Sequence, residues 1–243
     1  MRSDEFAYDG TIEGYLTVVG YCITNKIMPT KIVREHDAGI DIDIHEYVRP
    51  RPDYRIADAV YRLVGRRSSP EVQQMVNDVF LTSIPEMEIE LFILICKAIK
   101  YGAVIAEDYE DPFIRRMQFA IRDLYREAQS TFDQLRMNRK GDLSYAMINP
   151  RNNVLPIITP GIAKDPKLDD ILIYDKRHKL VFIRIRDREA TVDTNRIPYQ
   201  ELRSNDDLYD RLWPYFADSD NFSINIGKKA KADSLSRLWY IAG

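Results

Sequence analysis

The feature that most constrains this chain is a change of apolar period near residue 132. Ahead of it, apolar residues recur at the spacing of one helix face; after it they alternate, as on a half-buried strand. Helices followed by strands, rather than alternating with them, predict an α+β fold. We read a helical N-terminal part packed on an antiparallel sheet formed mainly by the C-terminal half. Residues 1–131 are mostly helical and 132–243 contain the sheet, in a single integrated domain over 1–243. No internal repeat and no Gly/Ser-rich linker separates the halves.

The spacing predicts a first helix over Thr11–Thr24, after the turn Asp9-Gly10. Ile40 to His45 alternates as a strand does. Tyr54–Val64 reads as a helix ended by Gly65. Ser68-Ser69-Pro70-Glu71 and Ser83-Ile84-Pro85-Glu86 both carry the pattern of a capped helix start, and Gly102 stops the second of these helices. Asp111-Pro112 opens the longest helix, whose Ile114, Met117, Ile121, Leu124, Tyr125 and Ala128 form one apolar face. Strands are expected at Phe132–Asn138, Leu143–Ile148, Ile171–Tyr174, Leu180–Arg186 and Glu189–Asp193. Arg139–Asp142 and Asp175–His178 read as hairpin turns, and Val154–Ile162 as an apolar connection with two prolines. A short helix is expected at Leu208–Phe216.

Missing motifs exclude whole reaction classes. The sequence has no G-x-x-x-x-G-K-[ST], G-x-G-x-x-G, G-x-S-x-G or H-E-x-x-H. Cys22 and Cys96 lie in separate apolar stretches, too far apart for a thiolate zinc site, and an iron–sulfur cluster needs more thiolates than the chain has. We expect buried free thiols, with a disulfide as the alternative. The longest apolar run, Leu91 to Cys96, is too short to span a membrane, and the start of the chain is polar, so a cytoplasmic protein is expected. No cofactor and no metal is expected.

Some polar groups are candidates nonetheless. Asp41, Asp43 and His45 share one strand face; a solvated face is the favoured reading, a divalent-cation site the alternative. His36 and His178 sit in polar turns and read as surface residues. Asp9 and Glu13 read as turn and helix-start residues, with an acid/base pair as the alternative.

Charge is uneven along the chain. Residues 1–110 hold 12 Lys and Arg against 19 Asp and Glu; residues 111–243 hold 23 against 19. In the basic half, Arg115, Arg122 and Arg126 form a stripe away from the apolar face of the long helix. Arg136, Arg139 and Lys140 follow closely. Arg184, Arg186 and Arg188 alternate along a strand, and Lys228, Lys229 and Lys231 group in the tail. Such side chains suit phosphates, and Tyr125, Tyr145 and Tyr174 suit base stacking. The competing reading is a solvated surface paired with Asp123, Glu127 and Asp187.

Tyr8-Asp9-Gly10-Thr11-Ile12-Glu13-Gly14-Tyr15-Leu16 resembles the Y-D-G-[ST]-F-E-G-F-L signature of a family of DNA-metabolism and DNA-repair proteins. That family is associated with a radical-SAM protein of DNA modification and repair, and is sometimes fused to a uracil-DNA-glycosylase-like domain. Ile56–Arg62, Tyr145–Pro150 with Val154–Pro156, Ile171–Arg177 and Trp213–Phe216 are similar to later stretches of the same family, in the same order. Two departures mark a divergent member. Glu127-Ala128-Gln129-Ser130 lacks the histidine of the family's E-x-H-R, and Pro150-Arg151-Asn152-Asn153-Val154-Leu155 lacks that of its P-x-H-x-V-L.

The resemblance implies an accessory protein in DNA repair or modification, working with the radical-SAM partner and contacting DNA, without membrane association. A carboxylate-dependent enzyme acting on nucleic acid or a nucleotide is the alternative. A structural interaction module without nucleic-acid contact is the second.

Overall fold

The computed structural model describes residues 4–35, 46–165, 168–185 and 188–194. The expected strand at Ile40–His45, the helix at Leu208–Phe216 and the basic tail lie outside the described residues. The fold is α+β: the helices concentrate in the N-terminal half, and a five-stranded, mainly antiparallel sheet lies in the C-terminal half. The chain divides into two compact units, Met1–Asp123 and Leu124–Gly243.

The first unit opens with β1 (Glu5–Tyr8), α1 (Ile12–Asn25) and β2 (Lys31–Arg34), and the two strands pair in parallel. Both strands have four residues, too few for an alternating pattern to declare itself, and the sequence reading passed over them. α1 starts where expected, because the Thr11 side chain accepts from Gly14 N at its cap.

α2 (Tyr54–Arg67) runs past Gly65, which the sequence marked as its end. Gly65 lies inside this helix, where a Cβ would stand 2.8 Å from the side-chain amide of Gln73 in the following helix, and it does not stop the helix. α3 (Pro70–Leu81) begins at the expected cap, with Ser69 accepting from Val72 N. The same signature at Ser83 does not cap: α4 (Met87–Tyr101) starts after Glu86, which stands at φ 53 without a side-chain cap bond. A 3₁₀ turn, Gly102–Glu107, follows. Phe6, Tyr8, Tyr15, Leu16, Leu91, Leu94 and Ile95 are almost wholly buried and form the centre of this unit.

α5 (Pro112–Gln134) carries the boundary between the units. It continues through Phe132, where a strand was expected, leaving only Asn138–Lys140 as β3. Side-chain bonds from Gln129 to Asp133 and from Gln134 to Ser130 extend the helix spacing past that point.

In the second unit the strand order is β3-β4-β5-β6-β7, with β4 (Leu143–Ile148), β5 (Asp170–Asp175), β6 (Leu180–Ile185) and β7 (Arg188–Asp193). These strands fall close to their expected positions. The sheet differs from the expectation in one pair: β4 and β5 run parallel. The cause is the stretch read as an apolar connection, which is a helix, α6 (Leu155–Ala163), and so carries the chain back to the start of the sheet. Leu155, Ile158, Thr159 and Ile162 supply its buried face. Pro156 lies in the first turn, where an N–H has no partner to lose, whereas Pro160 stands inside the helix without ending it. β5 is buried on both faces from Ile171 to Asp175, as a central strand should be.

Candidate nucleic-acid interface

α5 is fixed at its start by Asp111, whose carboxylate accepts from Phe113 N at 2.8 Å and pairs with Lys97. The Lys97 ammonium and the Phe113 N–H hold the Asp111 carboxyl below its usual range. Ile114, Met117, Leu124 and Ala128 are buried along one face. That burial turns Arg115, Arg122 and Arg126 outward, and all three are exposed.

Phe119 completes the stripe. It lies four residues after Arg115 and three before Arg122, is 52% exposed, and has the Arg122 guanidinium 4.5 Å from its ring centroid. An exposed phenyl between guanidiniums combines a stacking face with phosphate-binding charge. The sequence held this signal in the spacing 115, 119, 122, 126, and the sequence reading saw only the arginines. Arg115 and Arg122 have no carboxylate partner among the described residues, whereas neighbouring Arg116 is paired with Glu90. Tyr125, 39% exposed, and Arg126 both engage neighbours.

The other basic candidates differ. Arg139 and Lys140 are exposed on β3, each with an interaction of its own. Arg136, just past the end of α5, donates to the carbonyls of Asp133 and Leu135. Arg184 directs its guanidinium at the carbonyls of Ala163, Leu168 and Asp169, and so acts as a strut between the end of α6 and β6. Tyr174 is 8% exposed and Tyr145 half-buried, so neither ring is open for stacking in the way Phe119 is. Arg186, Lys228, Lys229 and Lys231 lie outside the described residues, as do His36, Asp41, Asp43 and His45. Among the described residues no group of three His, Cys, Asp or Glu is placed to hold a metal ion.

The signature Tyr8, Asp9, Gly10, Glu13, Gly14 forms the turn from β1 into α1. Gly10 takes φ 82, and Asp9 Oδ1 accepts from Thr11 N at 3.1 Å and Thr11 Oγ1 at 2.6 Å. A Cβ at Gly14 would lie 2.1 Å from Asp9 Oδ1, so only glycine leaves room for that carboxylate. Asp9 is thereby bound to the turn, in line with the structural reading of the Asp9 and Glu13 pair. Burial raises the Glu13 carboxyl above its usual range, its helix N–H offsets part of the rise, and the Asp9 charge adds to it.

Tyr8 is buried beside this turn, donating to Glu88 Oε1 at 3.1 Å and accepting from Arg34 Nε at 2.9 Å. Tyr15 donates to the Glu88 carbonyl at 2.6 Å. Burial pushes both phenols well above their usual range. The two cysteines are free thiols. Burial, with a smaller contribution from Cys96, pushes Cys22 up to about 12, and burial also raises Cys96, so neither is primed as a nucleophile.

In the second unit, the two motifs that lack family histidines meet. The Glu127 carboxylate accepts from Arg151 N at 2.6 Å, Asn152 N at 2.8 Å and Asn152 Nδ2 at 2.7 Å. Asn152, where the resembling family has histidine, is a buried donor to Glu127 here.

The His178 reading as a surface turn residue needs correction. Its ring is 14% exposed, and Nδ1 lies 2.7 Å from Oδ2 of the fully buried Asp175. The sequence held a signal for this in the three-residue step from Asp175 across a turn.

A two-unit α+β chain with an exposed arginine–phenylalanine helix face is thus the class of protein that fold and surface define. No curated protein matches it. The chain belongs to the family described as a domain of unknown function, DUF4130, whose model matches residues 85–237. The match takes in α4, α5 and the five-stranded sheet and leaves the Tyr8–Leu16 signature outside. Among the described residues no helix is long and apolar enough to cross a membrane.

Proposed function

We propose that this chain is a non-enzymatic accessory protein of DNA repair or modification that contacts DNA through α5. The observation that carries the reading is the outward stripe Arg115, Phe119, Arg122, Arg126, with a guanidinium stacked over a half-exposed phenyl ring. Phosphate contacts from the arginines give affinity without sequence choice, and the ring offers a platform to an unstacked base. The resemblance at Tyr8–Leu16 supplies the DNA-repair context and the radical-SAM partner, which we include in the proposal.

The test is anisotropy of a labelled single-stranded oligonucleotide with the full chain over a salt series. Neutralising Arg115, Arg122 and Arg126 to Gln together reduces the salt slope by about 2, three phosphate contacts at roughly 0.7 each. Phe119→Ala weakens binding by about 1 kcal/mol or more with the slope unchanged, because stacking releases no counterions. An absence of binding at low salt sinks the reading of DNA contact. Failure of the native chain to co-purify with a radical-SAM protein sinks the partner.

A further inference from the structure

The turn between β5 and β6 gathers positive charge on a rigid frame. Four consecutive basic side chains, Lys176, Arg177, His178 and Lys179, separate Asp175 from Leu180. Lys176, Arg177 and Lys179 are exposed, and none of their ammonium or guanidinium groups has a side-chain partner among the described residues.

Asp175 holds the turn from beneath. Its Oδ1 accepts from Arg177 N and His178 N, both at 3.0 Å, while Oδ2 faces the His178 ring. A carboxylate only accepts, so His178 Nδ1 carries the hydrogen and Nε2 is left as the ring's second polar atom. Lys176 N donates to Ile148 O at 2.9 Å, and the Lys179 carbonyl accepts from Thr194 N at 2.7 Å and Thr194 Oγ1 at 3.0 Å. Lys179 itself stands at φ 55.

Like charges on adjacent residues of a fixed turn repel one another, and a surface serving only solubility intersperses carboxylates among them. Here Asp175 lies under the turn, occupied by its N–H groups and the imidazole, and Asp193, opposite Leu180 on β7, has an interaction of its own. A cationic tip whose lysine and arginine heads have no side-chain partner among the described residues suits an external anion with several oxygens, and those long side chains reach more than one phosphate of a polyanion.

We propose that the Lys176–Lys179 turn is a second nucleic-acid contact, in which Lys176, Arg177 and Lys179 bind phosphates of the backbone and Asp175 positions the turn. The nucleic-acid function proposed above supplies the identity of the phosphate carrier; the site itself stands on a different element from α5.

The test uses the full chain and a fluorescein-labelled single-stranded DNA of about 20 nucleotides, longer than a typical single-strand site. Lys176→Gln, Arg177→Gln and Lys179→Gln combined raise Kd about tenfold or more and lower the salt slope by about 2. The charge-keeping set Lys176→Arg, Arg177→Lys and Lys179→Arg binds nearly as the wild type does. Wild-type affinity in the glutamine set, or equal loss in both sets, overturns the inference. If the α5 variants lose binding and the glutamine set does not, this site fails while the proposed function stands. If the glutamine set loses binding and the α5 variants do not, this site stands and the α5 reading fails. No binding by the wild-type chain overturns both.

Discussion

Among the described residues each unit has a parallel strand pair joined by a helix, β1–α1–β2 in the first and β4–α6–β5 in the second. The carboxyl ends of such strands are where α/β folds commonly place ligands. The two edges are finished in opposite ways. In the first, the strands end on Tyr8 and Arg34, and both turn to Glu88 across a cluster of Tyr8, Tyr15 and Phe80 rings. Charge there is paired, Arg34 with Glu88, on part-buried side chains. In the second, β5 ends on a buried aspartate that fixes the next turn, and the cations of that turn are left open. The same motif thus serves stability at one edge and presents charge at the other.

That contrast breaks most readily in measured stability. Tyr8→Ala removes a fully packed ring and leaves Glu88 and Arg34 without its hydroxyl, and the expected loss is about 3 to 5 kcal/mol in urea unfolding. Tyr8→Phe keeps the ring and loses about 1 to 2 kcal/mol. The glutamine set at Lys176, Arg177 and Lys179 changes stability by no more than about 0.5 kcal/mol, the usual range for surface substitutions. A hairpin set as destabilising as Tyr8→Ala would mean that those cations serve the fold.

What the sequence revealed follows the reach of each interaction. Long periodic segments were legible: the buried face of α5, and β4 through β7 close to their observed bounds. The outward arginines of α5 follow from the same spacing. Features set by distant partners were not legible. Gly65 reads as a stop until Gln73 is seen beside it, and the second serine–proline signature does not cap because Glu86 enters the helix from a left-handed conformation. α6 was hidden by its prolines, and with it the parallel pair. Glu88, central to the first edge, lies 80 residues from Tyr8, and no local pattern connects the two.

A middle-sized effect probes the second unit's loop before α6. Glu127→Ala removes the acceptor for Arg151 N, Asn152 N and the Asn152 amide, so the loop loses its tie to α5. The expected loss is about 1 to 3 kcal/mol, with Glu127→Gln retaining part of it because its amide keeps one acceptor oxygen. If hydrogen exchange in residues 150–154 is unchanged in Glu127→Ala, the tie does not order that loop, and only the Asp175 turn distinguishes this edge.

The smallest expected effect tests how fully the first edge is closed. Burial raises the folded-state Glu13 carboxyl above its unfolded value. Between those two values the folded state binds more protons than the unfolded chain, so stability falls as pH rises through that interval. Glu13→Gln removes the titrating group and with it that slope. The variant therefore gains on the wild type as pH rises through the interval, and the difference between the two is constant below the ordinary carboxylate range, near about pH 4. Urea unfolding of both chains between about pH 3 and pH 7 reads the difference directly. A wild-type slope of the opposite sign at this residue would place the Glu13 carboxylate in a stabilising, partnered setting. The β1–α1 turn would then hold a charge in the way the Asp175 turn does, and the two edges would no longer be opposites.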